Sequence, residues 1–228
     1  MEHYTLDGRF LPYRALLLGE DPAARRSRWD QDARWEDACL DKVKAILSGA
    51  PYIGVPPEPS EVLPGVFLGT SADAENLAVI RRLRINYILN CAGGHPLGIR
   101  RQRARYPAES GVRGYEELAI EEYHDTDITG FLERAHQLLD HWRHCGAGGR
   151  VLIHCPGVSR AGAVTLTYMC RQGIPLLEAA RRLKAARRCV LSHDGFIRQV
   201  VTWCRLRGLV DADLDAVKAP AYGRRIDR

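Results

Sequence analysis

The chain has 228 residues, enough for one domain of ordinary size plus extensions, and its 46% hydrophobic and 27% charged content is that of a folded, water-soluble protein. It has no run of eighteen apolar residues, which argues against a membrane-spanning helix. The acidic start Met1–Asp7 reads neither as a secretory signal nor as an organelle transit peptide. Lys occurs only at 42, 44, 184 and 218, so 29 of the 33 basic residues behind the net charge of +5 are Arg. A GC-rich coding bias accounts for that choice, and contact with RNA or with acidic protein surfaces is the alternative. Seven cysteines, at 39, 91, 145, 155, 170, 189 and 204, form no C-x-x-C pair. They indicate neither a disulfide framework nor a zinc site, and a reducing, cytoplasmic home is expected.

Residues 1–28 show no sustained period, although Leu11–Leu18 could form a short helical turn or a docking segment. The spacing of Ala33, Ala38, Leu40, Val43, Ile46 and Leu47 predicts a helix over 30–48, with Asp30 as N-cap and Gly49 past its end. Trp29 and Trp35 need cover, from the core by default or from a partner. Four prolines in 51–59 make a stiff connector. The expected division is an extension over 1–59, a core domain over 60–209 and a charged tail over 210–228.

The core alternates strand and helix, which predicts an α/β fold. Its central sheet is mostly parallel, with helices on both faces and the N-terminal helix appended. Val66–Leu68 is a strand, and Ser71 caps a helix to about Arg84. Ile85–Cys91 is an apolar strand, followed by a long loop, Ala92–Gly114, carrying Arg100, Arg101, Arg103, Arg105 and Arg113. This loop is either a solvated connection or an edge for a partner or phosphate. Tyr115–Ile120 is the next strand, Glu121–Asp127 the next loop, and a helix runs from Asp127 or Thr129 to about His144. The turn Gly146–Gly149 leads into a strand over Arg150–His154. A helix over Ala161–Arg171 ends at Gly173, Pro175 opens another to about Arg187, and Asp194 caps the last one, to about Leu206.

The chemistry concentrates in Val151–Gly162, where an apolar strand ends in His154-Cys155 and is followed by Pro156, Gly157, Val158, Ser159 and Arg160. In a strand–loop–helix unit of this kind the loop and first-turn N–H groups converge into a nest that favours an anion. The same field lowers the pKa of a thiol at its base, which makes Cys155 a candidate nucleophile. Arg160 could grip two oxygens of an oxyanion through its planar fork.

These residues resemble the signature loop of the dual-specificity branch of the cysteine-dependent protein phosphatases. Glu61–Gly69 resembles that family's opening strands, Ile88-Leu89-Asn90-Cys91-Ala92 its second core strand and Gly195–Gln199 its closing helix. The resemblance implies attack of the Cys155 thiolate on phosphorus, oxyanion binding by the 156–160 loop and Arg160, and a general acid. It implies no metal or cofactor. His154 would support the cysteine from the core, with Asn90 and Cys91 beside it.

Three features depart from the family pattern. Only four residues separate Cys155 from Arg160, where the family has five, which removes one N–H and about 3.3–3.6 Å of reach. Position 161 is Ala, without the hydroxyl that helps the thiolate leave. The general-acid position falls on Glu122, with His124, Asp125 and Asp127 nearby. Arg160 would then be free to pair with Glu121 or Glu122. The expectation is an impaired phosphatase domain acting as a partner-binding or structural subunit of a larger assembly. An active phosphotyrosine or phosphoserine/threonine phosphatase is the alternative, and a phosphate- or RNA-binding module the third reading. Its partner, a phosphoprotein or another protein, would bind through the N-terminal extension and the Arg-rich 100–113 loop, away from any membrane. Cys91 is expected to end the strand beside Cys155, as a packed core residue or a disulfide partner.

Overall fold

The computed structural model describes residues 22–48, 56–93, 106–145 and 148–210, with side chains from residue 33 onward in the first segment. Residues 1–21, 49–55, 94–105, 146–147 and 211–228 fall outside it, and with them Leu11–Leu18, Gly49, most of the 51–59 connector, Arg100, Arg101, Arg103 and Arg105.

Five strands form one sheet in the order β1-β2-β5-β3-β4. They are β1 (Ser60–Leu63), β2 (Val66–Thr70), β3 (Tyr87–Asn90), β4 (Gly114–Glu117) and β5 (Val151–Cys155). β1 is antiparallel to β2 across a turn at Gly65, whose φ of +76° suits glycine, and all other pairings are parallel. β5 sits at the centre with all five residues buried, which explains its unbroken apolar run: covered on both faces, it has no solvent side to alternate towards.

Alternate residues divide between two cores, as the two-residue period of a strand requires. Phe67, Ile88 and Leu152 pack with Ala74, Ile80 and Ile85 on the face carrying α2 (Ser71–Glu75) and α3 (Leu77–Arg82). Val66, Leu68, Leu89, Val151 and Ile153 face the larger layer. That layer holds α4 (Thr129–His144), α5 (Ser159–Arg171), α6 (Leu176–Ala186) and α7 (Asp194–Leu206). α5 lies on β5, with every residue from Ser159 to Cys170 buried. Helices thus flank both faces of a mostly parallel sheet, as the alternation of the sequence predicts.

The N-terminal helix, α1, spans Pro22–Ser48, so Asp30 lies inside it and does not cap it. Pro22 tolerates the first turn because a helix's first N–H groups have no partner to lose, and the start is easily overlooked because the apolar spacing begins only at Ala33, about three turns later. Cys39, Leu40, Val43 and Leu47 are buried in the same core as α6 and α7, so this helix belongs to the packed body. Trp35 packs partly buried against that core, with the Arg205 guanidinium 5.4 Å from its ring centroid.

Several further boundaries differ from those expected: β3 is shorter than Ile85–Cys91, β4 is Gly114–Glu117 rather than Tyr115–Ile120, and α5 starts at Ser159 rather than Ala161. The stretch after β2 is two short helices broken at Asn76, whose side chain caps the second. Thr70, rather than Ser71, caps the first, in a reciprocal capping box with Asp73. His193, rather than Asp194, caps α7: its ring nitrogen accepts the Phe196 N–H. At the Thr70 and His193 caps the acceptor lies one position before the expected residue.

Candidate active site

The parallel strands deliver their C-terminal ends to one edge of the sheet, where open α/β sheets place their ligands. β3 and β5 run in register, with Asn90 opposite His154, and the Cys91 N–H donates to the His154 carbonyl at 2.8 Å. The cysteine that follows each strand partner therefore lies beside the other, as the sequence implies. Cys91 and Cys155 are free and buried. Asn90 is buried: its amide donates to the Tyr115 hydroxyl at 3.0 Å, and its Oδ1 accepts the Ala92 N–H at 3.0 Å. It fixes the turn after β3.

Cys155 ends β5 with 1% of its surface exposed. Its sulfur accepts the Ala161 N–H at 3.5 Å, and the Gly157 N–H lies near enough to favour the charged form. Burial pushes the thiol up from its ordinary range. Those two N–H groups and the Arg160 charge oppose the shift, and the Glu122 carboxylate adds to it. Burial also raises Cys91 well above its usual range. His154 is wholly buried with neither ring nitrogen hydrogen-bonded, and desolvation lowers its pKa to about 3. It is a neutral packing residue here, and its support of Cys155 is steric.

Pro156 and Gly157 are exposed, and the loop then turns sharply inward. Val158 takes φ +56° and ψ 12° at the head of α5, with no side-chain cap. A β-branched residue in this left-handed region is a strained outlier that costs about 1–3 kcal/mol and persists only where its surroundings hold it. The holders are visible. The Val158 carbonyl accepts the Gly162 N–H at 3.1 Å and the Leu191 N–H at 3.4 Å, and the Ser159 hydroxyl accepts the His193 N–H at 3.3 Å. A Cβ at Gly162 would stand 2.9 Å from Val190 Cγ2, so glycine is what allows the 190–191 segment to close on the loop.

Arg160 is 5% exposed. Its Nη1 donates to the Ile120 carbonyl at 3.1 Å, its Nη2 pairs with Glu122 Oε2 at 3.1 Å, and its Nε is buried without a partner. An oxyanion gripped by Nε and Nη2 must therefore compete with a carboxylate already on Nη2. Glu122 is the position-matched acid, and the fold brings it to Arg160, where it serves as the counter-ion. Asp127, a nearby substitute, accepts the Thr129 N–H at the start of α4, and the His124 ring lies 6.3 Å from that of His193. Ala161 contributes its N–H to the sulfur and has no hydroxyl to offer.

One residue at this site went unnoticed in the sequence. Arg187 is fully buried behind the sheet edge. Its Nη2 pairs with Asp73 at 3.1 Å and its Nη1 donates to the Glu58 and Leu68 carbonyls, while its charge extends to Cys155. Among the described residues no group of His, Cys, Asp or Glu could hold a metal ion.

The model "Dual specificity phosphatase, catalytic domain" matches residues 66–205. The chain belongs to the dual-specificity phosphatase family. Among curated relatives, this domain is similar to bovine dual specificity protein phosphatase 26, at 33% identity over 62% of this chain and 64% of that one. It is also similar to human dual specificity protein phosphatase 9, at 27% identity over 84% of this chain and 47% of the relative. The chain thus spans less than two thirds of the length of the curated relatives it matches. Among solved structures, human DUSP28 superposes with a TM-score of 0.58 at 24% identity, covering 68% of this chain and 97% of that one. The human tyrosine phosphatase-like serine/threonine/tyrosine-interacting protein does so with 0.54 at 24% identity, covering 66% and 97%. These likenesses establish the dual-specificity phosphatase fold. The family model begins at residue 66, after α1.

Proposed function

We propose that this dual-specificity phosphatase domain is catalytically impaired and works by binding a protein partner, as a structural subunit of a larger assembly. The observation that carries this reading is the state of Arg160. In a loop one residue short of the family spacing, its Nη2 is held by Glu122 and its Nη1 by a main-chain carbonyl. The residue at the general-acid position is thereby engaged as well, and one ion pair withdraws two of the three groups that hydrolysis needs. The third, Cys155, is a thiol pushed up by burial, where attack requires a thiolate. Positioning errors of about 1 Å can cost a hundredfold in rate, so a loop shortened by one residue is a sufficient cause of impairment.

One structural relative is itself named as a phosphatase-like interacting protein, which supports a binding role for this fold. The partner would meet the chain through its N-terminal extension and the Arg-rich edge at 100–113. The free thiols support a reducing, cytoplasmic setting. Retention of a Cys155 whose sulfur accepts the Ala161 N–H favours the second reading, an active phosphatase forming a cysteinyl-phosphate. Hydrolysis of a chromogenic aryl phosphate separates the two. Equal, negligible rates for the protein and for Cys155→Ser support impairment, and a rate that vanishes in Cys155→Ser overturns it.

A further inference from the structure

The strained turn of the signature loop is held from the 187–193 segment, and that segment is in turn held by α1. Lys184 donates from one ammonium to the Leu47 carbonyl, in the last turn of α1, and to the Arg188 carbonyl. At the far end Lys44 of α1 pairs with Asp194 at 2.8 Å. Between these two tethers the segment places Val190 and Leu191 against Gly162, donates the Leu191 N–H to Val158 and donates the His193 N–H to Ser159. Leu191 has φ +47°, so two non-glycine residues in the left-handed region, Val158 and Leu191, are hydrogen-bonded to each other. Neither conformation is favoured by its own residue type. Each persists only because its surroundings leave no alternative.

We propose that α1 is a positioning element for the signature loop, acting through the 184–194 segment. The helix grips that segment at both ends and keeps the Val158 and Leu191 turns in register, and with them Cys155 closed off and Arg160 on Glu122. Further grips hold the two helices together: Asp37 with Arg198 at 3.3 Å and Glu36 with Arg205 at 2.9 Å, along with the buried Leu40, Val43 and Leu47. The family model matches from residue 66, so α1 precedes the part of the chain that it describes. Any partner that draws α1 from α6 and α7 would release the loop. The inference concerns the conformation of the loop and holds whether or not the loop hydrolyses phosphate.

The test uses the full chain with Lys44→Met and Lys184→Met combined, which removes both tethers and keeps the apolar stems. Two quantities are followed: alkylation of Cys155 by iodoacetamide, with Cys170 as a buried internal reference, and amide hydrogen exchange by segment. The expected result is alkylation of Cys155 faster by about tenfold, corresponding to roughly 1.4 kcal/mol of lost restraint. Exchange should quicken in 33–48, 187–193 and 156–162, with Cys170 and α4 unchanged. Val43→Ala, which loosens the helix without altering charge, should give the same pattern. Faster exchange in 33–48 with Cys155 and 156–162 unchanged overturns the proposal. So does a parallel rise at Cys170 and in α4, which would report general loosening, and so does no change anywhere, which would mean that the lysines do not hold the helix.

Discussion

Two buried arginines serve the strand ends around Cys155, and the structure uses them in opposite ways. Arg187, behind the sheet edge, is fully enclosed, and its partner Asp73 has a side chain only 9% exposed. Arg160, at the rim, is nearly as buried, but its partner Glu122 has a side chain 37% exposed. Arg187 is locked: it joins β2, Asp73 and the entry to β1, and the pair is almost wholly enclosed. Arg160 is latched by a carboxylate that water and ligands can reach. The floor of this site is sealed, and under the proposed reading the ion pair at its rim controls whether an anion can enter.

The largest expected effect lies in the floor. Arg187→Met should cost about 3–5 kcal/mol of stability, because it leaves Asp73 buried without its counter-charge. A urea midpoint shift shows this, and a loss below 1 kcal/mol would place Arg187 with the latch. The second effect is on pH dependence. His154 is held down to about 3 and His136 to about 4, both by burial, against about 6.5 in an unfolded chain. Both stay neutral in the fold and take up a proton on unfolding below pH 6.5, so stability is complete above that value and is lost as the pH falls towards 4. From pH 7.5 to 5 the two together should cost about 4 kcal/mol, read as a falling denaturation midpoint.

Smaller effects are expected at the rim. Glu122→Gln should change stability by no more than about 1 kcal/mol, because the pair it breaks is partly exposed. It should lower the Cys155 pKa, by removing a carboxylate that raises it, and should tighten tungstate binding, by freeing Nη2 of Arg160. Unchanged anion affinity would mean that Glu122 is no latch. The smallest expected effect is no effect: mild peroxide should leave Cys91 and Cys155 unlinked despite their adjacency, since burial keeps both as thiols and exchange requires the thiolate. A 91–155 disulfide found by mass spectrometry would contradict that.

The sequence and the structure agree best where the signal is local and periodic. The unbroken apolar run of β5, the strand–loop–helix at Cys155 and the Arg160–Glu122 pair were all legible, because a short loop between fixed elements leaves few arrangements. Arg187 was not, because in a chain with so many arginines nothing marks the one that turns inward, and its partners Asp73, Glu58 and Leu68 are far away in sequence. His193 was hidden behind Asp194, the commoner capping type. The strain at Val158 and Leu191 leaves no compositional trace, since neither residue belongs to the types that usually adopt positive φ.

The most direct test of the account is the ionisation of Cys155, followed as the pH dependence of its alkylation rate in the intact chain. The account predicts a thiol that ionises above the usual range of about 8.5, with little response to added phosphate. Half-ionisation below pH 7, with protection by phosphate, would mean a working thiolate in an anion-binding loop and would contradict it.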